Sequence, residues 1–287
     1  MIGITGANGK LGTLIIKDLV SRGLKDSIIA FVRSKEKGKE LESLGVKIRI
    51  ADYNDETTFD KGLQGIDTLL LISAHDIGQR VAQHKHVIDG AKASEIKTII
   101  YTSFIHSERP DWTLLLEHFE TEEMIVDSGI PYVICRDSLY LDNMVNDIPR
   151  IIKEGAYYTS ASNGFAYVSV FDLARTYAEI LAHPEKITLN SVYNFTGPEL
   201  VTPEQYFNII QAQTNKKLSF KKVSEPDMEK YLHSLGISET SMDGWLGFER
   251  MQSQNLVSVV SDDIEKITGV TPKDMSSFIK ENPLKLH

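Results

Sequence analysis

The first twelve residues constrain the fold of this chain more than any other segment. A short apolar run that contains Ile2 and Ile4 is followed by Gly6, Gly9 and Gly12, and apolar residues then recur at helical spacing. This pattern predicts a strand, a tight glycine turn and a helix. Gly6 and Gly9 allow the turn and a close backbone approach to a pyrophosphate, while Gly12 lets the helix pack against the sheet. Because the free N–H groups of a helix start attract an anion, the segment predicts a dinucleotide site.

Glycines cluster in any turn, so the alternative is an ordinary glycine turn. The rest of the N-terminal half favours the dinucleotide, because strand and helix patterns alternate there regularly. Near-continuous apolar runs predict strands at 2–5, 27–32, 46–51, 68–73, 98–103 and 132–136. Amphipathic stretches between them predict helices at 10–21, 35–44, 56–63, 78–94 and 113–128. This alternation indicates an α/β protein with a Rossmann doubly wound parallel sheet.

Beyond Arg136 the regular alternation ends. Short strands are expected at 156–158, 192–195 and 218–223, and helices near 172–181 and through 225–248, with breaks at Gly236 and Gly244. Thr202, Pro203 and Gln205 have the pattern of a helix start with a capping box. We expect an NAD(P)-binding Rossmann domain at 1–150, to which the chain returns around 165–195, and a smaller C-terminal α/β substrate lobe at 151–287.

Composition and charge exclude several classes of function. The formal net charge is −9, whereas a sequence-independent nucleic-acid binder needs a basic face. No apolar run is long enough for a membrane span, and because the first strand is predicted to start at Met1, we expect no targeting segment. Cys135 is the single cysteine, so no intrachain disulfide can form, and we expect Cys135 to be a buried core residue. These features predict a cytoplasmic protein.

Several short motifs stand in a characteristic order and spacing along the chain. They lie at 4–12, 32–33, 51–53, 69–73, 78–80, 101–103, 118–122, 127–130, 140–143 and 194–197. On these motifs the chain resembles the NmrA-like atypical short-chain dehydrogenases, most closely the bacterial NAD(P)H:quinone oxidoreductase type 2 and triphenylmethane reductase group. The resemblance implies a Rossmann domain with a small substrate domain, and reduction of quinone-like acceptors by NADPH.

The end of the second predicted strand bears on the choice of cofactor. NAD-specific Rossmann sites usually have a carboxylate there for the ribose hydroxyls, whereas this chain has Arg33. A guanidinium pairs with a 2′-phosphate and stacks on adenine, and Lys35 and Lys37 add positive charge. The alternative is that Arg33 merely begins a surface turn. We expect NADPH as the cofactor, with NADH as a weaker one, and neither a metal nor a flavin.

The glycine turn and the resemblance together predict a set of cofactor contacts. Asp52 falls where family members contact the adenine amino group, although it could instead cap a turn. His75 could equally be an ordinary loop histidine. Relatives often carry Asn-Gly where this chain has Asp137-Ser138. The predicted contacts are Gly6, Ala7, Asn8, Gly9, Lys10, Leu11, Gly12, Arg33, Asp52, Ser73, Ala74, His75, Asp137, Ser138 and Leu139.

The predicted catalytic residues are His118, Tyr140 and Asn143. The chain has no Tyr-x-x-x-Lys pair, which disfavours alcohol oxidation and sugar epimerisation. The resemblance places His118 where some relatives have a catalytic lysine; the alternative is a surface pair with Glu122 on one helix face. It places Tyr140 and Asn143 toward the acceptor, although the same segment could simply begin a packed helix.

Two further groups of residues are assigned less specific roles. His84 and His86 are two apart on a helix, so they point in different directions, and we expect a solvated helix face there and no metal site. Trp112, Trp245 and Phe248 could line an aromatic acceptor pocket or pack the C-terminal lobe.

The leading hypothesis is therefore an NADPH-dependent reductase that transfers hydride directly to quinones or related conjugated aromatic acceptors. Hydride addition to a quinone gives a delocalised anion that water can protonate, so the protein mainly has to hold the acceptor against the cofactor. The alternative is a non-catalytic redox-sensing regulator that binds NAD(P), and a nucleotide-sugar epimerase or dehydratase is less favoured. We expect a small-molecule partner, and a monomer or a homodimer.

Overall fold

The computed structural model describes residues 1–106 and 112–282. The strands are β1 Ile2–Ile4, β2 Ile28–Val32, β3 Lys47–Ile50, β4 Thr68–Leu71, β5 Thr98–Phe104, β6 Tyr132–Asp137, β7 Ala156–Thr159, β8 Ser191–Phe195 and β9 Ser219–Lys222. The helices are α1 Lys10–Ser21, α2 Lys35–Ser43, α3 Thr57–Gly62, α4 Arg80–Ala93, α5 Thr113–Asp127, α6 Leu141–Glu154, α7 Val170–Ala182, α8 Pro203–Gln213, α9 Glu225–Ser234, α10 Glu239–Ser253, α11 Asp263–Thr268 and α12 Met275–Glu281. Short 3-10 helices lie at Lys25–Ser27 and Pro184–Lys186.

The main sheet has seven parallel strands in the order β3-β2-β1-β4-β5-β6-β8. Apolar side chains cover both of its faces: one face packs on α1, α2 and α7, and the other on α3, α4 and α5. The predicted Rossmann doubly wound parallel sheet is therefore confirmed. The strand order reverses between β1 and β4, and open α/β sheets bind ligands at the carboxyl ends of the strands beside such a reversal.

The main sheet is completed by a segment that lies far along the chain. Strand β8 pairs with β6, with Cys135 opposite Tyr193, and helix α7 packs against α1. Tyr177 of α7 and Phe195 of β8 are fully buried in the core on that side of the sheet. Cys135 is buried there as well, as expected from its apolar surroundings.

The remaining elements surround a second sheet, in which β7 and β9 pair in parallel. A separate apolar cluster that includes Tyr157, Phe165 and Tyr206 packs this sheet against α6, α8 and α12. Helix α8 begins with the predicted capping box, in which the Thr202 hydroxyl accepts from the Gln205 N–H at 3.2 Å. The division into two domains at residue 150 stays a prediction.

The predicted break at Gly236 is found, but the one at Gly244 is wrong. Gly244 lies inside α10, which continues from Glu239 to Ser253. A helical glycine costs only about 1 kcal/mol relative to alanine, and burial of Met242 and Leu246 beside it outweighs that cost. In the part of the chain that is described, no helix is long and apolar enough to cross a membrane.

Candidate active site

A cavity of about 630 Å³ opens at the carboxyl edge of the main sheet, where β1, β2, β4, β5 and β6 end. All but one of the predicted site residues line it. Ala7 does not: it is fully buried behind the turn, and its carbonyl accepts from the Thr13 hydroxyl at 3.2 Å. The predicted residues that line the cavity are Gly6, Asn8, Gly9, Lys10, Leu11, Gly12, Arg33, Asp52, Ser73, Ala74, His75, His118, Asp137, Ser138, Leu139, Tyr140 and Asn143.

The glycine turn forms one wall of this cavity, and its geometry requires glycine. Gly6 has a φ of +59°, in the left-handed region that favours a residue without a Cβ. A Cβ on Gly12 would lie only 2.7 Å from the Gly6 carbonyl oxygen and 2.9 Å from the Ala7 Cα. Within the described ranges, the N–H groups of Lys10 and Leu11 at the start of α1 have no acceptor. The wall therefore fits a pyrophosphate, which would accept from these N–H groups.

Arg33 and Asp52 lie at the ends of β2 and β3 in the same cavity. Arg33 is exposed, and its guanidinium makes no hydrogen bond or ion pair with the described residues, so it is available to a ligand phosphate. The Asp52 carboxylate accepts from the Asn54 N–H at 3.0 Å. Asp52 therefore caps a turn, as the alternative interpretation has it, and lines the cavity at the same time.

A buried ion pair supports the loop after β4, where Ser73, Ala74 and His75 lie. The Arg80 guanidinium donates to the Ala74 carbonyl at 2.8 Å and pairs with the Glu117 carboxylate at 3.3 Å. The other Glu117 oxygen accepts from the Gly78 N–H at 2.8 Å. Because both charged groups are almost fully buried, removal of either one would leave an uncompensated charge in the protein. We infer that this pair fixes the backbone of the loop.

The predicted solvated face at His84 and His86 is wrong. His84 is fully buried, and its Nε2 accepts from the Ala74 N–H at 2.9 Å. The Thr121 hydroxyl lies 2.9 Å from His84 Nδ1 and donates to the Glu117 carbonyl, so Nδ1 carries the proton. Burial is the main reason that the pKa of His84 is lowered to about 3. His84 therefore stays neutral and acts as a fixed support for the cavity wall.

We expect His84 to make the protein sensitive to acid. In the unfolded chain a histidine has a pKa of about 6.5, well above the folded value of about 3, so the unfolded state binds the extra proton between these limits. The stabilising contribution is complete above about pH 6.5 and is lost as the pH falls toward 3, at up to about 1.4 kcal/mol per pH unit. His84→Gln keeps a donor and an acceptor without titrating, so its melting temperature should fall less between pH 7 and pH 5. His183→Gln, at an exposed histidine, is the control, and equal losses in all three proteins would contradict the prediction.

His118 lies on α5 beside the cavity, and the alternative of a surface pair with Glu122 is wrong. His118 is 6% exposed, and its Nδ1 lies 2.8 Å from the hydroxyl of buried Tyr101. Glu122 points elsewhere, accepting from Ser103 at 2.5 Å and pairing with Arg136 at 2.7 Å. Burial, assisted by Arg80, holds the pKa of His118 well below its usual value. His118 is therefore neutral, with one ring nitrogen that carries a proton and one that can accept a hydrogen bond.

The end of β6 contributes two buried polar groups to the cavity. Asp137 is 3% exposed and accepts from the Tyr177 hydroxyl at 2.7 Å. Ser138 is 1% exposed, and its hydroxyl has no hydrogen-bond partner in the described residues. A buried hydroxyl without a partner is costly, and a polar ligand group in the cavity would remove that cost. Together with the glycine wall and the free Arg33, this orphaned hydroxyl shows that the cavity fits a dinucleotide.

The opposite end of the cavity is aromatic. Phe104, Leu114 and Phe248 line it beside Tyr140 and Asn143. Trp112 does not line the cavity and packs edge-on against Phe248 at 4.8 Å between ring centroids. Trp245 lies away from it, over the Arg150 guanidinium at 5.6 Å. Of the three aromatic candidates, Phe248 alone therefore meets the cavity.

Sequence reasoning missed Phe104 and Arg80 as site residues. Phe104 extends β5 one residue beyond the predicted end, and that residue reaches the cavity. Arg80 was visible only as part of a family motif, because its partner Glu117 is 37 residues away. Within the described ranges, no group of three or more His, Cys, Asp or Glu residues could hold a metal ion.

Comparison with known proteins gives consistent matches. A family model described as NAD(P)H-binding matches residues 6–184. Quinone oxidoreductase 2 of Escherichia coli (strain K12) is 35% identical over 244 residues, which are 85% of this chain and 85% of that protein. The crystal structure of NADPH-dependent quinone oxidoreductase from Escherichia coli, complexed with NADPH, has a TM-score of 0.93 at 32% identity, and the match covers 98% and 99% of the two chains. Triphenylmethane reductase of Citrobacter sp., complexed with NADP(H), has a TM-score of 0.91 at 29% identity over 99% and 100%.

Proposed function

This chain belongs to the NAD(P)H-binding family, and on that premise we propose that it is a reductase that transfers hydride from NADPH to quinones or related conjugated aromatic acceptors. One observation carries the proposal: a single cavity contains both a glycine turn that fits a pyrophosphate and an aromatic end with polar groups. Binding of a dinucleotide alone does not require the aromatic end of the cavity.

The cofactor half would be held by backbone and by one cation. The start of α1 would bind the pyrophosphate, and Arg33 would bind the 2′-phosphate of the adenosine. When it is bound, NADPH supplies the hydride for reduction of the acceptor. We propose that NADH binds more weakly, because it has no 2′-phosphate for the unpaired guanidinium.

The acceptor half would be shaped by aromatic side chains and neutral donors. Phe104 and Phe248 offer apolar surface to a flat acceptor. Burial raises the pKa of Tyr140 well above its usual value, so its hydroxyl keeps its proton and can donate to an acceptor oxygen. The Asn143 amide would be a second donor, and the neutral His118 ring offers one further polar nitrogen to the cavity. These groups would hold the acceptor rather than abstract a proton from it.

The proposal is tested by mixing the purified protein with NADPH and a panel of benzoquinones and naphthoquinones. We expect NADPH oxidation, seen as loss of absorbance at the wavelength of the reduced nicotinamide, that depends on both protein and acceptor. Saturable NADPH binding without turnover on any acceptor would instead favour the redox-sensing regulator. Failure to bind NADPH or NADH would overturn both interpretations.

Replacement of Tyr140 by phenylalanine should lower acceptor turnover and leave NADPH binding nearly unchanged. The substitution keeps the ring and removes one hydrogen bond to the acceptor, which is worth about 1 kcal/mol, or about fivefold in kcat/KM. Steady-state kinetics and a fluorescence titration with NADPH measure the two quantities. Tyr132→Phe is the matched control, because Tyr132 begins β6 at the other end of the strand. Unaltered kinetics would remove Tyr140 from the site.

A further inference from the structure

The carboxyl group of Asp137 has unusual surroundings for a residue at the end of a strand. It is buried at the wall of the cavity, and its Oδ1 accepts from the Tyr177 hydroxyl of α7 at 2.7 Å. Tyr140 begins the next segment of the cavity wall, and its hydroxyl interacts with the same carboxyl. The Cys135 thiol faces Asp137 from its own strand. Within the described residues, no lysine or arginine forms an ion pair with the Asp137 carboxyl.

A buried carboxylate that has no cation beside it is energetically unfavourable. Burial disfavours the charged form, and two hydroxyl donors, Tyr177 and Tyr140, compensate for only part of the lost hydration. Burial accordingly raises the pKa of Asp137 well above its usual value, although the hydrogen bonds from Tyr177 and Tyr140 oppose the rise. In its protonated form, Asp137 donates a hydrogen bond from Oδ2 while Oδ1 accepts from Tyr177.

Tyr140 connects this acid to the acceptor end of the cavity. Both side chains line the cavity together with Phe104 and Phe248, and the Tyr140 hydroxyl interacts with the Asp137 carboxyl. A hydroxyl that accepts from Oδ2 is free to donate its own proton to an acceptor oxygen. His118 is a poor source of that proton, because it is already neutral at physiological pH and its Nδ1 is occupied by Tyr101.

We propose that Asp137 holds the proton that the reduced acceptor receives, and that Tyr140 passes it on. This inference rests on the proposed function. A quinone that has gained a hydride carries one negative charge. The Tyr140 O–H bond breaks as an O–H bond forms on the acceptor, and the Asp137 Oδ2–H bond breaks as the Tyr140 O–H bond re-forms. The products are a neutral hydroquinone, an oxidised cofactor and an Asp137 carboxylate, which regains a proton from water.

The protonation state is tested first without turnover. Carbon-13 NMR of the protein labelled at its aspartate carboxyl carbons, recorded across a pH series, reports the ionisation of each group. We expect one aspartate carboxyl to remain protonated at neutral pH and its signal to be absent in Asp137→Asn, which has nearly the same shape. If every aspartate carboxyl is ionised at neutral pH, the inference is overturned, whatever the enzyme reduces.

The delivery step is tested by the pH dependence of kcat with NADPH and a quinone. We expect the wild-type rate to fall as the pH rises through the pKa of Asp137. Asp137→Asn should lose this dependence and have a rate about tenfold lower, which is below the usual range of general-acid effects because water can also protonate the product. Tyr177→Phe removes the hydrogen bond that stabilises the carboxylate, so its inflection should move to higher pH. A merely structural role of Asp137 would shift no inflection.

A double-mutant cycle separates one proton path from two independent effects. If Asp137 acts through Tyr140, the double variant Asp137→Asn with Tyr140→Phe should be no slower than the slower single variant. Multiplied losses, or a pH profile that Asp137→Asn leaves unchanged, would overturn the inference while the proposed function stands. Absence of turnover with every quinone, despite NADPH binding, would overturn the proposed function and this inference with it.

Discussion

Gly12→Ala is expected to weaken NADPH binding by about 30- to 100-fold, because the added methyl group forces the start of α1 away from the glycine turn. Its Cβ would lie 2.7 Å from the Gly6 carbonyl oxygen and 2.9 Å from the Ala7 Cα, and both neighbours are backbone atoms that cannot rotate aside. Overpacking of this kind costs about 1–3 kcal/mol, and each 1.4 kcal/mol is tenfold in affinity. Isothermal calorimetry measures the dissociation constant.

Gly244→Ala is the matched control, since a Cβ at this helical glycine of α10 meets no atom within 4 Å. That variant should bind NADPH like the wild type and should be as stable or slightly more so. Circular dichroism verifies that both variants are folded. Wild-type affinity in folded Gly12→Ala would show that the close contact between α1 and the turn does not shape the phosphate site.

Arg33→Asp should weaken NADPH binding by at least about 100-fold and NADH binding by less than about threefold. The substitution removes a charge-assisted hydrogen-bonded pair worth about 1.5–3 kcal/mol and places a carboxylate beside the 2′-phosphate. NADH has no phosphate there, so it loses little. Because the Arg33 guanidinium has no partner within the described part of the chain, its removal should leave the fold undisturbed.

Lys35→Asp is the control for this prediction, since it changes the net charge by the same amount at a residue that does not line the cavity. It should lower NADPH affinity only slightly, and the remaining effect should weaken as salt screens it. Equal losses of NADPH and NADH affinity in Arg33→Asp would refute the role of Arg33 in binding the 2′-phosphate.

Much of the main sheet could be predicted because its strands are covered on both faces. Such strands appear in the sequence as continuous apolar runs, and the helices between them have one apolar face. Helix α1 has the predicted bounds, Lys10–Ser21, since a glycine turn marks its start. The site residues on the loops after the strands could be placed for a related reason, because the carboxyl ends of parallel strands share one edge.

What could not be predicted depends on partners that are distant in sequence. His84 is polar and lies on a helix, so local pattern alone assigns it to solvent, yet it is buried between Ala74 on the loop after β4 and Thr121 on α5. Phe248 was one of three aromatic candidates, and the sequence alone could not tell that Phe248, rather than Trp112 or Trp245, reaches the cavity from α10. The hydrogen bond that Asp137 accepts comes from Tyr177 of α7, 40 residues away, and no sequence motif connects the two residues. Tertiary packing determines all three.

Strand β8 completes the main sheet and helix α7 covers α1, although both lie far along the chain. This order has a consequence for how the protein is synthesised. A nascent chain that has emerged only as far as α6 has an unpaired edge on β6 and no α7 to cover α1, although every residue of the glycine turn is already present. We expect such a ribosome-bound fragment to bind no nucleotide and to need protection from aggregation until Phe195 has left the exit tunnel.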